Sequence, residues 1–298
     1  MLVELLATIE RRFGKTLEAT QVIQHPTIGG LARFLESDRS APASLVVEMK
    51  PGTLAPLFCI PGAGGIGVEF YPLSRRLHDD QPVIVLRSSG TDGHAHPPAT
   101  AHDLLEEHVR QIMDYRAQHN ERRPVHLMGY SLGGIFAWEI AQRLHTRGID
   151  IGEIFLIDSH VASTEARALF KKPARGLLAR ARARFRRPDQ DEHIALAQQL
   201  DAAIRSGQIM EAAALGRYNL LVQASFFRAI ESRPAPFSTT FLLASRGPRH
   251  KHAELWKSLA RNLSIQVIDG EHEGDQSIVR EPAVGPLAEV VSTVLGKN

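Results

Sequence analysis

Apolar and polar positions recur along this chain with two different periods, which predict alternating strands and helices. The short runs with the length and composition of buried strands are LVVEM, PLFCI, PVIVL, VHLMG, EIFLID, TTFLLA and LSIQVI. Helical patterns lie between most of them, as in residues 101–119, where Leu105, Val109 and Ile112 share one side. Because alternation of strands and helices is typical of a parallel sheet covered by helices, we expect an α/β fold with a mostly parallel sheet and helices on both faces.

One interval, about residues 161–235, contains helix-like segments and no convincing strand pattern. An insertion of this length between two strands predicts a helical lid over a pocket. Its apolar residues either line that pocket or pack between helices; examples are Leu220, Leu221, Phe226 and Phe227. The interval also carries a basic run, which comprises Lys171, Lys172, Arg175, Arg180, Arg182, Arg184, Arg186 and Arg187. This run is either a solvated helix face or a docking surface for an acidic partner domain.

The N-terminal residues 1–37 are predicted to form a small all-helical segment. A helix over about residues 2–12 is followed by a short helix at TIGGLARFLES. The first helix has one apolar stripe, too small to form a core alone, made of Leu2, Leu5, Leu6, Ile9 and Phe13. Residues 38–44 are charged or small and include a proline, which indicates a linker. The main domain is then expected over residues 45–298.

The composition narrows the possible functions. The net charge of +2 over 298 residues gives no general case for nucleic-acid binding. Cys59 is the single cysteine, which excludes an internal disulfide framework and a multi-cysteine zinc site and favours a reducing compartment. The amphipathic N-terminus carries charges within its first helix, so it reads as neither a secretory signal nor a membrane span. We therefore predict a cytoplasmic protein without a metal, nucleic-acid or membrane site.

The clearest chemical signal lies in PVHLMGYSLGGIFAWEIAQRL, residues 124–144. Gly129, Ser131 and Gly133 match the nucleophile elbow G-x-S-x-G at a point where a strand-like run becomes helical. In that turn the serine backbone is strained, and the glycines remove side chains that would clash with the strand and helix. The following helix points its N-terminal amides at an anion beside the serine. The alternative is a tight Gly-rich turn, since the bare motif also occurs by chance.

A nucleophilic serine needs a histidine base and a carboxylate that orients it. Around an elbow these follow in the order serine, acid, histidine, each after a strand. Asp158 ends the run EIFLID, where a carboxylate is costly to bury without a partner; otherwise it starts a turn with Ser159. His272 directly follows the last apolar strand, at the position where the base belongs. The predicted catalytic residues are therefore Ser131, Asp158 and His272.

An oxyanion hole needs two backbone N–H groups beside the serine. One is expected from Leu132, directly after the nucleophile, and the other from the loop after an early strand. The segment PLFCIPGAGGIG has this form, and Ala63 is its favoured donor. A glycine-rich loop after a strand also serves in phosphate binding, but this loop lacks the spacing of both common phosphate motifs.

Four segments resemble those of a known family: LFCIPGAGG, VHLMGYSLGGIFAWEIAQRL, IFLIDSH and GEHE. Over residues 45–298 they resemble the type I thioesterase domains that end nonribosomal peptide and polyketide synthases, which implies the α/β-hydrolase fold. Residues 1–37 resemble the C-terminal part of an acyl or peptidyl carrier domain, through LLATIERRFGKTL and HPTIGGLARFLES. The carrier motif G-G-[DH]-S, whose serine bears phosphopantetheine, is absent, so the resemblance implies an inactive carrier fragment.

The resemblance also implies a reaction. Ser131 would accept an acyl, peptidyl or polyketide chain from the phosphopantetheine thioester of an upstream carrier domain. His272 would take the serine proton and return one to the departing thiol, and Asp158 would orient His272. Release would follow by hydrolysis or macrocyclisation. No directly bound cofactor is expected, and the implied partners are the carrier domain and other modules of the synthase. The alternatives are a stand-alone esterase or lipase, against which the carrier-like N-terminus argues, and a non-catalytic hydrolase-like binding module.

Overall fold

The computed structural model describes residues 2–15, 17, 21–22, 28–36, 44–162, 190–207, 210, 212–247 and 249–296. The predicted linker apart from Ser44, and the basic run at 171–187, lie outside the described residues. In the N-terminal segment, helix α1 spans Leu2–Phe13 and helix α2 spans Ile28–Glu36. Ile9 of the predicted apolar stripe is buried, whereas Leu5 and Phe13 are exposed. The stripe is therefore only partly covered.

The main domain follows the predicted alternation of strands and helices. Its described strands are β1 (Val46–Lys50), β2 (Leu57–Ile60), β3 (Val83–Leu86), β4 (Val125–Tyr130), β5 (Ile151–Ile157), β6 (Ala235–Arg246) and β7 (Ala260–Glu271). Its described helices are α3 (Tyr71–Ser74), α4 (Ala101–Gln118), α5 (Leu132–Thr146), α6 (Gln190–Ser206), α7 (Ala212–Ala229), α8 (His250–Trp256) and α9 (Val284–Leu295). Across these residues, no helix has both the length and the apolar character that a bilayer crossing requires.

The strands form one sheet in the order β1-β3-β2-β4-β5-β6-β7. Strand β1 pairs with β3 in the antiparallel sense, and the pairs from β3 through β7 are parallel. The mostly parallel sheet expected from the sequence is confirmed. In such a sheet the carboxyl ends of the parallel strands share one edge, so the segments that follow β2, β4, β5 and β7 lie along the same side of the domain.

Both faces of the central part of the sheet are covered, which explains why β2 and β3 are apolar and buried throughout. Along β2, Phe58 and Ile60 belong to an apolar cluster with residues of α4 and α5. Leu57 and Cys59 alternate with them and belong to a second cluster, which includes residues of α3 and α9. Successive strand residues thus point into opposite cores, and the expected helices on both faces are confirmed.

The described part of the predicted lid is helical and lies between β5 and β6 in the chain. Its helices α6 and α7 pack against each other, and α7 also contacts α4. Leu221, Phe226 and Phe227 are buried in the same apolar cluster as α4 and α5, whereas Leu220 is partly exposed. These contacts favour the helix-packing interpretation of the lid residues over the pocket-lining one.

Candidate active site

Ser131 stands between the end of β4 and the start of α5, in a backbone conformation that non-glycine residues rarely adopt. Its φ is 54° and its ψ is −115°. Such a conformation costs on the order of 1–3 kcal/mol and persists only where the surroundings impose it. The Ser131 N–H donates to the carbonyl of Ile157 at 2.9 Å, which extends the pairing of β4 with β5 past the strand end.

The two elbow glycines leave room for this turn. A methyl group at Gly133 would lie 2.2 Å from the carbonyl oxygen of Ile60 and 2.4 Å from that of Pro61. A methyl group at Gly129 would lie 2.3 Å from the carbonyl oxygen of Gly133. Contacts this short exclude any side chain. The same close approach brings the loop that follows β2 against the first turn of α5.

Asp158 follows β5 and is fully buried. Its backbone has a φ of 42°, and its N–H donates to the carbonyl of Leu242 at 2.8 Å. The two carboxylate oxygens have different partners. Oδ1 accepts the N–H of Ala244 at 3.1 Å, and Oδ2 lies 2.7 Å from Nδ1 of His272. The carboxylate is thus held by β6 on one side and turned toward His272 on the other.

His272 follows β7 and completes a hydrogen-bonded chain. Its Nε2 lies 3.0 Å from Ser131 Oγ. The Tyr130 hydroxyl and the Ser277 hydroxyl both donate to the His272 carbonyl, the latter at 2.8 Å. The Tyr130 ring also stacks on the imidazole, with centroids 5.0 Å apart and planes at 17°. The structure therefore brings Ser131, His272 and Asp158 together from three segments at one edge of the sheet.

Comparison with known proteins identifies the family. Residues 55–274 match the model of the Thioesterase domain family. The chain belongs to this family. Residues 1–35 match the family described as Phosphopantetheine attachment site. The resemblance of both parts of the chain is thereby confirmed.

The sequence of this chain is similar, at modest identity, to that of a nonribosomal peptide synthase. The dimodular nonribosomal peptide synthase of Bacillus subtilis (strain 168) is 29% identical over 160 residues, which are 53% of this chain and 7% of that protein. The chain therefore spans a small fraction of that relative.

Two solved structures share the fold of this thioesterase domain. The holo form of AB3403, a four-domain nonribosomal peptide synthetase, has a TM-score of 0.64 and 20% identity, covering 98% of this chain and 23% of the other. The NocB thioesterase domain, in covalent complex with a fluorophosphonate nocardicin G analogue, has a TM-score of 0.61 and 17% identity, covering 85% of this chain and 100% of the other. These likenesses confirm the α/β-hydrolase fold.

The electrostatics of the site favour a neutral imidazole. Burial lowers the pKa of His272 from its ordinary value, and the nearby Arg249 guanidinium acts in the same direction. The hydrogen bond to Asp158 opposes both effects. A histidine that is neutral near pH 7 has a free Nε2 lone pair, which is what a general base needs. With the proton on Nδ1, His272 donates to Asp158 and its Nε2 accepts from the Ser131 hydroxyl.

The predicted oxyanion donors lie in the two segments that meet at the elbow. Leu132 is the first residue of α5, and the first amides of a helix have no partner within it. Ala63 is exposed in a turn in which the Gly65 N–H donates to the Gly62 carbonyl at 3.1 Å. The roles of Ala63 and Leu132 stay a prediction.

Sequence reasoning missed two charged residues of this site. Glu69 is partly buried, and its Oε1 accepts the Gly62 N–H at 2.9 Å, so it anchors the loop that carries Ala63. Burial raises the pKa of the Glu69 carboxyl, while backbone hydrogen bonds partly offset this. Arg249, buried at the start of α8, stands 3.7 Å from Asp158. Its place after β6, on the edge that also carries Ser131 and Asp158, is the signal that could have found it.

Proposed function

We propose that this domain releases an acyl, peptidyl or polyketide chain from a phosphopantetheinyl carrier through an acyl-Ser131 intermediate. The observation that carries the proposal is the hydrogen-bonded chain from Ser131 Oγ through His272 to Asp158. A carrier-bound thioester as substrate is supported by the phosphopantetheine-attachment match at residues 1–35 and by the relatedness to nonribosomal peptide synthases.

In the first half-reaction, Ser131 Oγ attacks the thioester carbonyl while His272 Nε2 takes the hydroxyl proton. The oxygen of the tetrahedral intermediate receives hydrogen bonds from the N–H groups of Leu132 and Ala63. The buried Asp158 carboxylate stabilises the imidazolium that forms. The intermediate then collapses, the carbon–sulfur bond breaks, and His272 returns the proton to the departing thiol.

In the second half-reaction a new nucleophile attacks the acyl-Ser131 ester. His272 takes a proton from water, or from a hydroxyl or amine of the bound chain, and returns one to Ser131 Oγ as that bond breaks. Water gives a free acid, whereas an internal nucleophile gives a macrocycle. The groups on the protein act in the same way in both outcomes, so the choice depends on how the lid admits water.

The test combines a fluorophosphonate probe with hydrolysis of soluble acyl-thioesters. We expect the probe to label the wild-type protein at Ser131, and Ser131→Ala and His272→Ala to lose about three or more orders of magnitude in turnover. His119→Ala is the control, since His119 is exposed at the end of α4 and stacks on Tyr115. An unlabelled, inactive wild-type protein would indicate a binding module, and preference for oxygen esters would indicate a stand-alone esterase.

A further inference from the structure

A buried cation lies close to the carboxylate of the candidate active site. The side chain of Arg249 is 7% exposed, and its Nε lies 3.7 Å from Asp158 Oδ2. Its NH1 group donates to His160 Nδ1 at 3.0 Å. The distance to Asp158 is that of an ion pair rather than a hydrogen bond. The guanidinium is thus fixed by His160 and faces Asp158 as a charge.

Asp158 is the first counter-charge that acts on Arg249, and Glu273 adds a smaller one. His160 accepts the Arg249 hydrogen bond through Nδ1, and burial keeps the pKa of His160 well below its ordinary value. His252 packs edge-on against His160 with centroids 4.9 Å apart, and burial lowers the pKa of His252 to about 4. Both imidazoles are therefore neutral near pH 7. Since a buried arginine retains its charge, Asp158 is the anion that balances it at close range.

One oxygen atom of Asp158 is close to both Arg249 and His272. Oδ2 is 3.7 Å from Arg249 Nε and 2.7 Å from His272 Nδ1. When His272 takes a proton from Ser131, the new positive charge shares that oxygen with the guanidinium. In the buried site the repulsion is weakly screened. The guanidinium therefore opposes protonation of His272 and favours return of the proton to the leaving group.

We propose that Arg249 is a positioning residue that lies against the same Asp158 oxygen as His272 and, as a buried cation, disfavours the His272 imidazolium. This inference rests on the proposed function. The titratable and charged groups that face His272 among the described residues are Asp158, Glu273, Arg249, Tyr130 and His160. Asp158 and Glu273 favour the imidazolium, Tyr130 and His160 are neutral, and Arg249 opposes it.

The test is the pH dependence of kcat/KM with a soluble acyl-thioester, and of the rate of fluorophosphonate labelling. In Arg249→Gln we expect the acid limb of both profiles to move up by about one pH unit, because the cation that opposes imidazolium formation is gone. Arg249→Lys retains the charge and should keep its acid limb near that of the wild type. The control is Arg246→Gln, since Arg246 is about half exposed and pairs with Asp269 at 3.4 Å.

The outcomes separate this inference from the proposed function. A wild-type protein that neither hydrolyses thioesters nor reacts with the probe overturns the proposed function. If the wild type hydrolyses thioesters and reacts with the probe, but Arg249→Gln keeps the wild-type acid limb, then the proposed role of Arg249 is overturned and the proposed function stands. If Arg249→Gln does not fold, Arg249→Met takes its place, because methionine keeps an unbranched buried side chain without the charge. An acid limb that moves up in this variant supports the inference, and one that stays at the wild-type position overturns it.

Discussion

Replacing Asp158 with asparagine keeps the shape of the side chain but reverses one of its hydrogen-bonding sites. In the wild type, the carboxylate accepts from the Ala244 N–H at 3.1 Å through Oδ1 and from His272 Nδ1 at 2.7 Å through Oδ2. A carboxamide has one accepting oxygen and one donating NH2 group, so it satisfies only one of these donors. If the oxygen stays with Ala244, the NH2 group donates to His272 Nδ1, so the imidazole proton must lie on Nε2. An Nε2 atom that already carries a proton cannot accept the proton of Ser131.

The magnitude follows from the cost of the alternative orientation. Turning the oxygen toward His272 would oppose the NH2 group to the Ala244 N–H in a buried site, at a cost of about 1–3 kcal/mol. The wrong tautomer is therefore favoured by about 5- to 150-fold. The carboxamide also lacks the charge that stabilises the imidazolium, so we expect the combined loss in kcat to be about 10⁴. The Arg249 cation also loses its buried counter-charge, and breaking such a pair costs about 3–5 kcal/mol. Because the pair is 3.7 Å apart, a loss near the lower figure is expected.

The assay measures kcat with a soluble acyl-thioester at neutral pH, together with Tm. Asp269→Asn is the matched control, since Asp269 lies on β7 near His272 but is exposed and accepts from the Ser245 hydroxyl at 2.8 Å. We expect this control to keep wild-type turnover. Folded Asp158→Asn protein with turnover within tenfold of wild type would refute the reasoning, because it would mean that His272 does not depend on this carboxylate for its tautomer.

Two further predictions concern a loop anchor and an ion pair between a buried glutamate and a half-exposed arginine. Glu69→Ala removes the acceptor of the Gly62 N–H, so the loop that carries Ala63 loosens. We expect kcat to fall by about tenfold or more with little change in KM. Glu69→Gln keeps an acceptor for this N–H and should keep more of the activity. The hydrogen bond from Arg123 lowers the pKa of Glu121 to about 2, so this pair stabilises the fold above the ordinary carboxyl pKa and is lost as pH falls through about 2. Glu121→Gln should therefore lower Tm at pH 7, with the difference from wild type narrowing between about pH 4 and pH 2; a constant difference would contradict this.

The parts of this molecule that follow from the sequence are those that depend on the parallel sheet. Each predicted apolar run overlaps a strand, and the signal is clearest in β2 and β3, which are buried on both faces and contain no polar residue. Ser131, Asp158 and His272 could be predicted together because carboxyl ends of parallel strands meet at one edge. The antiparallel direction of β1 had no such signal, since its apolar residues alternate in the same way in either direction.

The missed residues are charged groups whose burial is a property of the folded chain. Arg249 lies among several basic and histidine residues in SRGPRHKH, and composition favours exposure for each of them. Only packing against His160 and Asp158 distinguishes it. Glu69 reaches Gly62 across the turn after β2, a contact that no local period encodes. Prediction of the lid from sequence was limited in a similar way. Helical spacing predicts α7, but it does not predict whether Phe226 contacts substrate or a neighbouring helix.

Ser131 and Asp158 share one further feature, which is a strained backbone held by the sheet. Their φ angles are 54° and 42°, and each N–H donates to the carbonyl of a residue in the next strand, Ile157 or Leu242. These bonds continue the parallel ladder one residue past each strand, so the strain is imposed by the sheet. Glycine adopts such angles without a Cβ clash, whereas alanine does not.

Ser131→Gly and Ser131→Ala should therefore both be inactive but differ in stability. Relieving strain of about 1 kcal/mol or more should raise the Tm of the glycine variant above that of the alanine variant by about 2–4 °C in a domain of this size. The alanine variant controls for loss of the hydroxyl and its bond to His272, which both variants lack. An alanine variant as stable as the glycine variant would mean that the elbow bears no strain at Ser131, and that its geometry is set by hydrogen bonding alone.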